Sequence, residues 1–217
     1  MTVFADRMSW MIPPGRAVCI PAQCKHSIRM WGDVAMRSLY FPASFRAQAL
    51  EMAECRVIAV TPLLRELILR VVELAALDSR VESEVHLMSV LMDELAGAPA
   101  GPLALPLPAD PRALAAAMRV LGSPVDGASL NVLARECGVG ARTLERLFRT
   151  ETGMPFGLWR QKARLLESIR LLVESRSVTH AAMESGYASV SAYIAAFKQT
   201  FGSTPRNFWN SKSVRGV

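Results

Sequence analysis

Long apolar runs are missing from this chain of 217 residues, although 51% of them are hydrophobic. Uninterrupted by polar residues, glycine or proline, its apolar stretches last only a few residues, far short of the roughly 20 that a membrane-spanning helix needs. No basic stretch leads into an apolar segment at the N-terminus, as a signal peptide would require. No membrane partner is expected, and a cytoplasmic location follows. Histidine is scarce, at three, and the four cysteines (Cys19, Cys24, Cys55, Cys137) form no CxxC pair. Zinc ribbons and dithiol redox motifs therefore lack support, and the cysteines are expected to be small buried apolar residues. GxSxG, Walker and HExxH motifs are also missing, so the commonest hydrolytic and phosphate-binding chemistries have no motif here. The chain is expected to be neither an enzyme nor the holder of a metal or other cofactor.

Positive charge is present, and it is unevenly placed. Residues 1–110 carry 10 Lys and Arg against 12 Asp and Glu, whereas residues 111–217 carry 15 against 7, a net of +8. A polyanionic partner would be drawn to the second half.

Proline and glycine divide the chain into parts. Residues 1–61 have short apolar runs broken by Pro and Gly every few residues, the pattern of short strands joined by turns. Residues 62–97 predict two amphipathic helices. In the second, Val81, Val85, Met88, Met92 and Leu95 recur at spacings of four and three, a stripe suited to pairing with the first helix or with another subunit. Dimerisation is the expected use of this 62–97 pair, and a homodimer is expected. Five prolines fall within residues 96–111, and 98–110 is assigned as a linker because no helix or central strand tolerates such a density.

Seven helical segments are predicted in residues 111–210, followed by a tail, 211–217. Asp110 and Ser129 are suited to start helices, Gly153 and Gly202 to end them, and Pro155 and Pro205 to start the next ones. Within "LARECGVGARTLERLFRTETG" (residues 133–153), Ala134 is a small crossing residue and Gly138 a turn residue, the requirements of a helix-turn-helix. Leu130, Leu133, Cys137, Val139, Leu144 and Leu147 would hold its two helices together. Arg142, Arg146 and Arg149, four and three apart, then form one ridge on the second helix. The pattern recurs: Ala182, Gly186 and Phe197 stand 48 to 49 residues beyond Ala134, Gly138 and Phe148. The intervening helix, about 20 residues long, would span ~30 Å, close to the roughly 34 Å between successive major-groove faces.

On these residues, 111–210 resembles the double helix-turn-helix DNA-binding domain of the AraC/XylS family of bacterial transcription regulators. "ARTLERLFRTETGMPFGLWRQKARLLESIRLLVE" and "ESGYASVSAYIAAFKQTFGSTPRNF" resemble its two signature regions. The resemblance implies an activator or repressor that binds double-stranded promoter DNA, works with RNA polymerase and responds to a small-molecule effector. Its contacts would come from Arg142, Thr143, Arg146 and Arg149 in the first unit and Ser189, Ser191 and Lys198 in the second. Residues 1–61 resemble part of the family's cupin-type sensor barrel. Gly15, Pro21 and His26 fit the second cupin motif, with Gln23 in place of its glycine and Met30 in place of its asparagine. The first motif, with its metal-binding histidines, has no room before Gly15, and Met1 falls inside the barrel as relatives build it. The expectation is of a chain truncated or started downstream of its native codon, with an incomplete effector pocket.

The expected fold class is therefore α+β: a partial cupin-like barrel with two helices, then an all-α DNA-binding domain. Two other readings remain. A non-specific architectural DNA-binding protein would show the same charge, and a cupin-type metalloenzyme would need ligands that are missing. His26 is expected to be a hydrogen-bonded barrel residue, and His86 and His180 ordinary polar positions. Phe148, Trp159, Tyr187, Phe197, Phe201 and Trp209 recur at packing positions and read as core.

Overall fold

The turn residues that punctuate the first 60 positions limit each strand described there to four residues. The computed structural model describes residues 1–42 and 54–210. The tail 211–217, and part of the 1–61 segment, lie outside the described residues. β1 (Thr2–Ala5) and β2 (Met8–Met11) form a hairpin with Asp6 and Arg7 at φ 47° and 58°, the turn geometry that matches the twist of paired strands. β3 is Arg16–Cys19, β4 His26–Arg29, β5 Arg56–Ala59 and β6 Ala104–Pro106. One antiparallel sheet has the order β4-β1-β2-β6, and β3 pairs with β5 in a separate two-stranded sheet.

Neither sheet closes among the described residues, so the expected partial cupin-like barrel is not confirmed by the strand order. The reason lies at the sheet edges. Pro106 offers no N–H, which restricts β6 to an edge, and residues 30–42 beyond β4 form no strand. β6 also lies inside 98–110, the segment expected to be a linker. Leu103, Leu105 and Leu107 are all buried, and their spacing of two puts them on one face of an extended chain. Proline density therefore confined the strand to an edge without preventing it.

Thr61 caps α1 (Pro62–Leu74) by accepting from the Leu64 N–H at 3.0 Å, and its hydroxyl donates to Glu94 of α2 (Glu82–Gly97) at 2.9 Å. Ile58, Leu64, Leu91, Met92, Leu95 and Ala98 close a small core, with Met88 packed against it. The stripe on α2 is thus divided. Its Met92 and Leu95 end belongs to the chain's own interior, whereas Val81 and Val85 are exposed.

Seven further helices follow among the described residues: α3 (Pro111–Gly122), α4 (Leu130–Glu136), α5 (Ala141–Thr152), α6 (Phe156–Ser175), α7 (Val178–Glu184), α8 (Val190–Phe201) and α9 (Pro205–Asn210). Asp110 caps α3 and Ser129 caps α4 through side-chain oxygens, and Gly153 and Gly202 end α5 and α8 in the left-handed conformation. α6 buries Phe156, Trp159, Ala163, Leu165, Leu166, Ser168, Ile169 and Leu172. The main core runs without a break from Val3 and Met11 through Leu103 and Leu105 to α6 and Phe208.

Trp159 is fully buried, and its indole N–H donates to the Pro106 carbonyl at 2.6 Å, joining α6 to β6. Trp159→Phe keeps most of the apolar contact but leaves that carbonyl without its partner, a loss of ~1–3 kcal/mol. Trp159→Ala also opens a cavity, and ~3–5 kcal/mol is expected. Urea unfolding of the full chain should rank wild type, Trp159→Phe and Trp159→Ala in that order, with an unchanged slope; equal midpoints would remove the role assigned to the hydrogen bond.

Candidate nucleic-acid interface

Each helix-turn-helix is built around a residue too small to hold its helices apart. Ala134 of α4 is 1% exposed, and Ala182 of α7 is 0%. Each turn then needs a residue that tolerates positive φ, and Gly138 and Gly186 supply it at 68° and 73°. Beyond the turns, α5 and α8 align residue for residue at an offset of 49: Leu144 with Tyr193, Phe148 with Phe197 and Gly153 with Gly202. All of those helical partners are fully buried.

Different aromatic clusters hold the two units onto α6. In the first, Phe148 meets Phe156 and Trp159 edge to face, each with centroids 5.0 Å apart. In the second, Tyr193 packs against Tyr187 and Phe197, and Phe197 against Phe201 and Phe208. The Tyr193 hydroxyl donates to the buried Ser168 hydroxyl at 3.0 Å, and burial pushes its pKa up to about 12. Trp209 is only half-buried, under the Arg176 guanidinium.

The faces turned away from this packing differ. On α5, Arg142, Arg146 and Arg149 are all exposed and Thr143 is half-buried at the N-terminal turn. Arg149 lies 3.9 Å from Glu145, while Arg142 and Arg146 have no ion pair among the described residues. On α8 the matching positions are Ser191, Ala195 and Lys198, all exposed. Ser189 is the N-cap: its hydroxyl oxygen accepts from the Ala192 N–H at 3.2 Å. α5 starts instead at Gly140, which has no side chain to cap it. The structure thus brings Arg142, Arg146 and Arg149 into one array, Ser191 and Lys198 into another, and commits Ser189 partly to its own helix.

Sequence reasoning missed two groups. Gln199, beside Lys198, is exposed on α8; its position, 49 residues after Thr150, was the available signal. Arg160 of α6 donates to the Ala128 carbonyl at 2.7 Å and lies over the Phe156 ring at 5.3 Å, so it fixes the loop before α4. No spacing rule would have found that. His26 donates from Nδ1 to the Cys24 carbonyl at 3.0 Å, and His86 and His180 are exposed.

Comparison with known proteins places these features. A family profile described as a helix-turn-helix domain matches residues 133–211. The chain is 31% identical over 209 residues to the HTH-type transcriptional regulator NimR of Escherichia coli K12, covering 96% of this chain and 75% of that protein. It is 38% identical over 103 residues to the HTH-type transcriptional regulator RipA of Corynebacterium glutamicum, covering 48% of this chain but only 31% of that one. Among solved structures, the DNA-binding domain of AdpA in complex with a target DNA matches at 26% identity and TM-score 0.42, covering 50% of this chain and all of that domain. A regulator from Chromobacterium violaceum with an AraC-type DNA-binding domain matches at 26% identity and TM-score 0.43, covering 45% and 88% of the respective chains.

The two turn glycines should respond unequally to alanine. Both pay for a side chain at positive φ, ~1–2 kcal/mol. A Cβ at Gly138 meets nothing within 4 Å, but at Gly186 it would lie 3.2 Å from Val125 Cγ1 and 3.6 Å from the Arg164 guanidinium. Gly186→Ala should therefore unfold at lower denaturant than Gly138→Ala; the reverse order would show that the neighbours of Gly186 yield freely.

Proposed function

The chain belongs to the AraC/XylS family of DNA-binding transcription regulators, and on that premise we propose that α5 and α8 enter adjacent major grooves of promoter DNA, on one side of the duplex. The observation that carries this reading is the exposed ridge of Arg142, Arg146 and Arg149 on a helix whose opposite face is core. α6, with 20 residues, supplies the span between the heads, ~30 Å at 1.5 Å per residue.

In this reading Arg142 and Arg146 meet base edges, since arginine can make two hydrogen bonds to guanine. Arg149 and Thr143 bind phosphate. Ser189, Ser191 and Lys198 position the second head mainly through phosphate and shape, because a serine hydroxyl or a flexible ammonium lacks the planar, pre-organised fork with which arginine fixes a base. The uncapped N–H groups at the start of α5 add a favourable pole for phosphate. The protein acts in the cytoplasm as a homodimer, contacts RNA polymerase at the promoter and has no catalytic role. Exposed Val81 and Val85, one turn apart at the start of α2, support the dimer. A small-molecule effector is also part of the reading. The cavity between the sheet and α6, lined by Phe4, Met11, Trp31, Leu105 and Leu166, is only ≈ 30 Å³, room for one or two waters. An effector acting there would have to part the sheet from α6.

Binding of the full chain to every single-base variant of its operator tests the assignment. Arg146→Ala should erase ~1–3 kcal/mol of discrimination at one or two positions, while Lys198→Ala should weaken all sequences alike and flatten the salt dependence. Operator DNA should be preferred over random DNA by at least ~10³. Equal affinity for the two would favour an architectural protein, and greater base sensitivity under α8 would overturn the division of roles. For the dimer, Val81→Glu with Val85→Glu should give a monomer by light scattering without lowering thermal stability, since both valines are exposed; a wild-type monomer at tens of micromolar would overturn it.

A further inference from the structure

Cys24 and Cys55 are 31 residues apart in sequence, and their sulfurs are 3.9 Å apart in the fold. A carboxylate oxygen of Asp6 is 3.2 Å from the Cys24 sulfur. All three donor atoms lie within 4.8 Å of one another, and they come from three elements. Asp6 is in the β1–β2 turn. Cys24 sits in the turn before β4, where Gln23 has φ 64° and the Cys24 N–H donates to the Pro21 carbonyl at 3.3 Å. Cys55 is the buried residue that leads into β5. The pairing of Ala5 with His26 is what brings the first turn against the second.

We infer that Asp6, Cys24 and Cys55 form a binding site for a thiophilic divalent cation, zinc by ligand type. Two thiolates and a carboxylate are a recognised zinc donor set. In a tetrahedral site with Zn–S near 2.3 Å, the sulfur-to-sulfur edge is about 3.8 Å and the sulfur-to-oxygen edge about 3.6 Å. The observed 3.9 Å and 3.2 Å lie within a few tenths of an ångström of those edges. On binding, each thiol gives its proton to solvent and the thiolate donates to the metal. Asp6 is exposed, which leaves the fourth position to water. A disulfide is the competing use of the two sulfurs. It needs them at about 2.05 Å, roughly half their present separation, and it makes no use of Asp6. The cation would clip the β1–β2 hairpin of the first sheet to β5 of the second; among the described residues no named strand of one sheet pairs with a named strand of the other, and the bridge from Ile58 to Ala100 ties β5 only to the run before β6. The inference stands apart from the DNA-binding role and does not depend on it.

The test is metal uptake by the full-length reduced chain. Zinc added to metal-free protein should bind at about one ion per chain and raise the melting temperature, and cobalt(II) in its place should give the thiolate-to-metal charge-transfer absorption. Cys24→Ser and Cys55→Ser should each weaken binding by at least ~100-fold and Asp6→Asn by ~10–100-fold, with Cys137→Ser unchanged. Cys24 is half-exposed, so Cys24→Ser remains a fair test if Cys55→Ser fails to fold, as checked by circular dichroism. Wild type taking up no more cobalt than Cys24→Ser would overturn the inference. So would a non-reduced chain lighter than the reduced one by two hydrogens, with the loss abolished by Cys24→Ser, because the sulfurs would then be joined to each other.

Discussion

The hydrogen bond from Trp159 to the Pro106 carbonyl is made inside the buried face of α6, and most of the architecture is arranged around that face. An indole N–H in an apolar interior needs an acceptor, and β6 supplies one in the Pro106 carbonyl. Satisfying it fixes β6 against α6, and β6 in turn pairs with β2 and carries the first sheet with it. Phe148 and Phe156 then close on the other side of the same indole. One side chain thus joins the first helix-turn-helix, the connecting helix and the β half. Its loss would act on all three at once.

Around that frame the chain uses one packing solution twice and varies only what faces outward. Small residues at the helix crossings, glycines at positive φ and buried phenylalanines recur in both units. Packing requirements of this kind are strict, because interiors are close-packed and respond to a single methylene. The outward positions carry no such requirement and are free to diverge, which they do: arginine at 142 and 146, serine and alanine at 191 and 195. In the proposed reading, the capacity to read bases rests on the few positions that packing leaves undetermined.

The helical half was legible in the sequence because its signals are local. Caps, turn glycines and a spacing of three and four act within a few residues, and each of the expected starts at Asp110 and Ser129 and stops at Gly153 and Gly202 is found. The β half was not, because strand partners are chosen by distant residues. The Pro-rich segment 98–110 reads as a linker on composition. Only the availability of β2 as a partner, together with Leu103, Leu105 and Leu107 on one face, turns part of it into a strand. The partner of Met88 and Met92 stays open in the sequence for a similar reason: a stripe on a helix shows that a partner exists, but not whether the partner is Ile58 and Leu64 of the same chain or a second copy. Cys24 and Cys55 carry no spacing signal at all, since the contact depends on the register of β1 with β4.

The continuity of the core bears on how a change in the β half could reach DNA. Flexible coupling would need a loosely packed boundary, but the same cluster runs from Val3 to Phe208. Two separate contacts cross from strands to the heads. Pro106 reaches the first head through Trp159, and Arg16 of β3 lies 5.7 Å over the ring of Phe208, which in turn packs against Phe197 of α8. The first contact is a hydrogen bond with a narrow range of allowed geometry. The second is a cation over a ring face, which tolerates sliding more readily. A displacement of β3 would consequently be absorbed first at α9 and α8. In the proposed reading that is the head without bidentate arginines, whose affinity would depend on its fit to the phosphate backbone.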